Sequence, residues 1–224
     1  MTTGMWGSLF ATQRIRPHDL IRVDAPARLV DDVPRPGWVA SALERAPWVV
    51  VRRLAARGHL VPVGVRGLTR DQRHGCWLPA ADVVFLVTPE ELSLRRDWRH
   101  SPRVSLVPAL AALGPTATAL DTFGWEWGPV GSVGFELASG APTATARSDL
   151  DIVVRPQTFP SQDELRALTA CLSATDRCDA SLETEMGALS LAEYASHSPS
   201  LMLRTNDGPR LMTRAEVENR SRPA

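Results

Sequence analysis

Apolar positions in this chain come in short runs cut by glycine and proline, and their spacing changes along its length. Pro17–Val23 has the spacing of a helical turn, and Val39–Glu44, following Gly37, that of a helix. Trp48–Arg53 and Leu60–Arg66 are rich in β-branched residues, so two strands are expected there, joined by a turn at Arg57–His59. Together they predict a small α+β unit over residues 1–76. Pro79, Pro89 and the charged stretch Arg95–Arg103 then break the pattern, and residues 77–103 are expected to form a linker region.

Further on, helical spacing returns at Val104–Leu113 and Thr116–Phe123, followed by a glycine-rich turn after Trp127 and a short helix around Phe135–Ala138. A strand is predicted at Asp149–Val154 and a helix at Ser161–Ala174, with Ser161 and Glu164 spaced as a capping box. Strand Cys178–Glu183, helix Leu189–Ser196 and strand Leu201–Thr205 complete the alternation. This is an α/β (α+β) pattern, predicted as a second domain over residues 104–215. Residues 1–12 and 216–224 are expected to be frayed ends.

Composition changes the picture further. A chain of 224 residues, 44% of them hydrophobic, can bury a core without a disulfide or structural metal. Its zero net charge hides an asymmetry: residues 1–112 hold 16 Arg against 10 Asp and Glu, and residues 113–224 hold 9 against 15. One half is thus suited to anions and the other to cations. There is no lysine, which excludes a lysine nucleophile, a Schiff base and the P-loop lysine. Cys76, Cys171 and Cys178 have no C-x-x-C spacing, pointing to free thiols and a cytoplasmic location. Apolar runs such as Trp48–Val51 are too short to span a membrane, and neither a membrane nor a nucleic-acid partner is expected.

Candidate chemistry lies between Trp127 and Glu183. Gly131-Ser132 opens a short helix, where unpaired backbone N–H groups and the serine hydroxyl can accept a phosphate. Asp149 and Asp151 are two apart on the predicted strand, so their carboxylates share a face and repel each other unless a cation intervenes. Magnesium suits such a site because it takes few carboxylates and completes its shell with phosphate oxygens; two ions are expected. On the next strand Asp179 is the favoured third acid, as metal ligand or proton acceptor, with Glu183 as the alternative. Arg66, Arg70 and Arg73 form a basic cluster able to hold phosphate, or else to receive an acidic protein, and Arg204 can reach phosphate from its strand. Arg52 and Arg53 point to opposite faces, so at most one is expected to serve the site. The five histidines lack ligand spacing and suit surface or capping roles, while Trp125 and Trp127 suit a core.

The ordered set of Gly-Ser, short helix, D-x-D strand, helix and strand with a third acid resembles the DNA polymerase beta type of nucleotidyltransferase fold. Sixteen residues separate Ser132 from Asp149, longer than usual, and a Gly- and Thr-rich loop is expected to absorb the excess. With P-W-V-V-V-R-R, V-P-V-G-V-R-G-L-T-R-D-Q-R, W-G-P-V-G-S-V-G-F-E-L and L-M-L-R-T-N-D-G-P, the chain over about residues 14–210 resembles the holo-acyl-carrier-protein synthases of malonate decarboxylase, the phosphoribosyl-dephospho-CoA transferases. The resemblance implies transfer from triphosphoribosyl-dephospho-CoA to a serine of the apo acyl carrier protein subunit, with pyrophosphate released. In that reaction Asp149, Asp151 and Asp179 would hold magnesium, and Gly131, Ser132 and the arginines would hold the substrate.

Overall fold

The structure is a computed structural model that describes residues 14–173, 175, 177–196 and 198–220, except for the side chain of Arg220. The first sheet contains β1 (Leu20–Arg22), β2 (Trp48–Val51), β3 (Leu60–Arg66), β4 (Arg73–Pro79) and β5 (Leu86–Val87), in the order β4-β3-β2-β1-β5 with every pair antiparallel. Alternation divides its two faces. Val49, Val51, Val63, Val65, Cys76 and Leu78 pack with Val39, Ala42 and Leu43 of α1 (Trp38–Arg45) in one core. The opposite face therefore carries Val50, Gly64, Arg66, Arg73 and Gly75.

The second sheet contains β6 (Glu126–Pro129), β7 (Leu150–Arg155), β8 (Cys178–Thr184), β9 (Gly187–Ser190), β10 (Ser200–Thr205) and β11 (Gly208–Thr213), in the order β11-β10-β9-β8-β7-β6. Only β7 and β8 run parallel, with α5 (Gln162–Ser173) as their crossover, so the sheet is mixed as expected. Leu110, Leu113 and Leu120 of α3 (Pro108–Asp121) and Leu165, Leu168 and Leu172 of α5 bury the β7 side chains Leu150, Ile152 and Val154.

The two sheets are joined through α2 (Pro89–Arg95). Thr88 and Glu91 form its capping box and Pro89 occupies the first turn. Gly128 of β6 permits the backbone of Pro89 to approach, since a Cβ there would strike the Pro89 carbonyl. Leu20, Trp48 and Val87 meet Leu92 and Phe135 in a small shared core. Ion pairs Arg155–Glu90 and Arg53–Glu183 cross the same seam, and Arg155 Nη2 donates to the Pro17 carbonyl at 2.8 Å.

Several elements differ from expectation. Pro17–Val23 is a turn followed by β1, because pairing with β2 and β5 outweighs its helical spacing and His18, at φ +76°, cannot continue a helix. Residues 77–103 carry the end of β4, then β5 and α2. The two helical runs after Val104 form one helix, α3, which continues through Pro115. The short helix after Gly131 is α4 (Gly131–Ser139), one turn longer at its start than the apolar pattern indicates. Gly187–Ser190 is a strand, and Ser190 then caps α6 (Leu191–Ala195). Tail residues Glu216–Arg220 belong to α7 (Arg214–Arg220), where Val217 is fully buried. Residues 1–12, His197 and the last four residues lie outside the described residues.

Candidate active site

A cleft of about 700 Å³ opens between the two sheets. Its first wall is the exposed face of β3 and β4. Arg66 and Arg73 are directly opposite each other there, a placement that costs stability when both carry the same charge. Among the described residues neither forms an ion pair with a carboxylate, and the charges of Asp151 on Arg66 and of Asp71 on Arg73 offset the burial only in part: Arg73 donates to the carbonyls of Thr69 and Gln72, and the Arg66 Nε is buried without a hydrogen-bond partner. Burial, and secondarily the charge of Arg73, push Arg66 down to about 10. An anion between the two guanidinium groups would satisfy both.

The second wall belongs to β7, β8 and the start of α4. Parallel register puts Asp151 of β7 beside Asp179 of β8. Asp151 is held above the usual carboxylate range by burial, then by the charges of Asp179 and Asp149. Gly131 begins α4 at φ +62°, and a Cβ there would strike Asp151 Oδ2, so this position needs glycine on both counts. The first backbone N–H groups of α4 thereby stand beside the acid pair, with no side chain capping them.

Of the residues expected to form the site, Gly131, Asp151, Asp179, Arg66, Arg73 and Arg204 all line this cleft. Arg70 is exposed at its edge, where its charge pulls Asp151 down and pushes Arg66 further down. Ser132 and Asp149 do not line it. Asp149 is exposed, and its Oδ1 accepts from Arg177 Nε at 2.9 Å, while Arg177 Nη2 also holds the Arg147 carbonyl at 3.0 Å. Of the segment between Ser132 and Asp149, residues up to Ser139 continue α4 and residues 140–148 form a loop, pinned by the buried Glu136 of α4, whose Oε2 accepts from Thr143 N and Ala144 N. Glu183, the alternative third acid, is engaged elsewhere: burial alone would raise it, but His18, Arg53 and Arg155 hold it below the usual range.

Among the described residues, no three His, Cys, Asp or Glu side chains are grouped to hold a metal ion. The Asp151–Asp179 pair nevertheless has the donor set that magnesium needs once phosphate supplies further oxygens, and a cation would relieve the repulsion that raises Asp151. Asp149 would have to leave Arg177 to join them.

Sequence spacing missed several residues at or beside the cleft. Arg52 and Arg53 both line it, contrary to the expectation from alternation, because β2 ends at Val51 and the chain turns after it. His18 lines it too, 3.6 Å from Glu183. Arg177 adopts a left-handed backbone at the rim, a conformation with no signal in the spacing. His74 is buried against Asp31 at 2.7 Å, not on the surface, whereas Trp127 is buried as expected.

An arginine wall faces paired carboxylates across one cleft, an arrangement suited to a phosphorylated ligand. The family models for the N-terminal and C-terminal domains of phosphoribosyl-dephospho-CoA transferase MdcG match residues 16–89 and 93–215. A phosphoribosyl-dephospho-CoA transferase of Pseudomonas aeruginosa is 38% identical over 88% of this chain and 91% of its own length. One from Klebsiella pneumoniae is 40% identical over 88% and 93%, and one from Azotobacter vinelandii 36% identical over 88% and 92%. No solved structure matches. The chain belongs to the phosphoribosyl-dephospho-CoA transferase family.

Proposed function

We propose that this enzyme transfers the phosphoribosyl-dephospho-CoA group of a triphosphate-bearing precursor, triphosphoribosyl-dephospho-CoA, to a serine of the apo acyl carrier protein subunit of malonate decarboxylase, releasing pyrophosphate in the cytoplasm. The observation that carries the reading is the placement of two like-charged cross-strand pairs, Arg66–Arg73 and Asp151–Asp179, on facing walls of one cleft. Each pair is unfavourable alone. Both are relieved by a polyphosphate held on one side by guanidinium groups and on the other through magnesium.

In this reading Arg66 and Arg73 grip the non-bridging oxygens of the triphosphate, with Arg70 and Arg204 reaching it from the edges. The N–H groups at Gly131 and Ser132 receive the phosphoryl group next to the acids. Asp151 and Asp179 hold magnesium, with Asp149 joining when it is released from Arg177. Magnesium, when bound, neutralises the charge that collects on the phosphate oxygens. Asp179 takes the proton of the incoming serine. The serine Oγ bonds to the phosphorus nearest the ribose, the bond from that phosphorus to the pyrophosphate oxygen breaks, and its electron pair leaves with pyrophosphate.

Acceptor identity is tested by incubating the enzyme, precursor and magnesium with the apo carrier subunit, with its Ser→Ala variant at the attachment site, and with the carrier subunit of citrate lyase. A mass gain confined to the unmodified malonate decarboxylase carrier is expected. No gain on that carrier, or an equal gain on the serine-free variant, would overturn the assignment.

A further inference from the structure

The first wall of the cleft holds a cation that the reaction as described leaves unused. Arg52 follows β2, and its backbone N–H donates to the Pro62 carbonyl at 2.9 Å, placing its Cα level with Pro62. Its side chain runs back along the sheet over Gly64 and Gly75, which are directly paired across β3 and β4. The stem packs 3.5 Å from where a Cβ on Gly64 would lie, and a Cβ on Gly75 would strike the guanidinium itself. Neither glycine has a left-handed φ, so backbone conformation does not call for glycine at these positions. Their lack of side chains leaves a smooth strip on which the guanidinium lies flat.

That guanidinium has no ion pair with a carboxylate among the described residues. Arg53 next to it is tied to Glu183, and Arg57 to Asp32. Arg52 is therefore a positioned and unpaired cation facing the cleft. Gly64 and Gly75 are one pleat repeat from the Arg66–Arg73 pair, an offset of about 7 Å along the strands. Arg66 is close enough to feel Asp151, whereas the charge of Arg52 acts on Asp32 and Cys76, away from the acids. The two cationic positions are thus distinct along one face.

We infer that Arg52, on its glycine strip, is a second anion subsite that binds the diphosphate of the dephospho-CoA half of the substrate, while Arg66 and Arg73 take the triphosphate. The inference rests on the proposed function, because only a substrate with two separate polyphosphate groups requires two such positions. A planar guanidinium with free N–H groups can engage two oxygens of a diphosphate at once. Gly75 acts as a positioning residue that keeps the strip open.

The test is calorimetric binding of two probes, dephospho-CoA and inorganic tripolyphosphate, to the full chain. Arg52→Ala should weaken dephospho-CoA about tenfold or more, the loss expected for a charge-assisted contact, and change tripolyphosphate by less than about threefold. Arg66→Ala should show the opposite preference. Gly75→Ala retains every arginine but displaces the Arg52 head, and should reproduce the dephospho-CoA loss with an unchanged melting temperature, a pattern that a purely structural role for Arg52 would not yield. Wild-type affinity for dephospho-CoA in Arg52→Ala or in Gly75→Ala would overturn the subsite alone. A wild-type chain that binds neither probe would overturn the proposed function and this inference with it.

Discussion

Replacing Arg66 by Met should make the protein more stable and less active. Arg66 is half-buried, opposite Arg73, with its Nε unpaired. Its depression from 12.5 to about 10 would correspond to about 3 kcal/mol in a dry site. Solvent reaches the side chain, and screening reduces the recoverable part to about 1 kcal/mol. Methionine keeps the apolar stem and removes the charge, so the melting temperature should rise by roughly 2–4 °C for a chain of this size. The gain should shrink at high salt, which already screens the Arg66–Arg73 repulsion. Saturating tripolyphosphate should reverse the order, since wild type gains about 2.7 kcal/mol at a ligand concentration of a hundred times Kd and the variant does not. Transfer should fall by about a hundredfold. Differential scanning calorimetry at low and high salt, with and without tripolyphosphate, measures all of this. A variant that is less stable than wild type at low salt, or that transfers normally, would refute the view of Arg66 as a cation held ready for phosphate.

Gly131→Ala should cost about 1–2 kcal/mol from its positive φ alone and should abolish transfer by pushing Asp151 aside; near-normal activity would remove Gly131 from the site. The two candidate third acids separate by opposite signs. Glu183→Gln leaves Arg53 in a buried pair without its carboxylate and should destabilise by about 3 kcal/mol, while Asp179→Asn relieves Asp151, leaves the melting temperature equal or higher and eliminates transfer. Reversed outcomes in those two measurements would make Glu183 the functional acid. Asp19 is fully buried, and burial pushes its carboxyl up to about 7 against the pull of the Arg16 N–H and Arg155. Its folded value lies above its unfolded value, so its contribution to stability is complete below about pH 4 and is lost as the pH rises to about 7. Urea unfolding at pH 5 and pH 8 should show a smaller difference for Asp19→Asn than for wild type; an equal difference would count against that assignment.

Much of the second sheet was legible because β7, α5 and β8 bury one strong apolar pattern each. Leu150, Ile152 and Val154 alternate with the acids, and Leu165, Leu168 and Leu172 keep helical spacing. The first sheet was harder to read because one of its faces lines the cleft. In β4 the alternation His74, Cys76, Leu78 is the buried set, and Arg73 and Gly75 between them break any apolar run. Strand β1 and the seam at α2 depend on distant partners that local spacing does not contain. Pro89 breaks the apolar pattern yet starts a helix, and the two helical runs on either side of Pro115 are one helix, α3, where packing against the sheet sustains the helix despite the lost N–H. The capping box at Thr213 and Glu216, which starts α7, was present in the spacing and outweighs the polar composition of the tail.

For the site, the acids were legible as a D-x-D pair with a third acid brought near it by the next strand, but the engagement of Asp149 was not. Spacing favours Asp149 with Asp151, whereas parallel register brings Asp179 beside Asp151 and leaves Asp149 to Arg177. The arginine cluster was visible as a group, yet its meaning comes from the register that sets Arg66 against Arg73. The net +6 and −6 halves correspond to the two walls of the cleft.

The most direct test follows the mass of the apo carrier over time with precursor and magnesium, comparing wild type, Asp151→Asn and an Arg66→Met/Arg73→Met double variant, each checked for native melting. If the facing pairs form the transfer site, wild type adds the phosphoribosyl-dephospho-CoA mass with one pyrophosphate released per carrier, and both variants leave the carrier unchanged. A carrier modified at the wild-type rate by either variant would contradict the central claim.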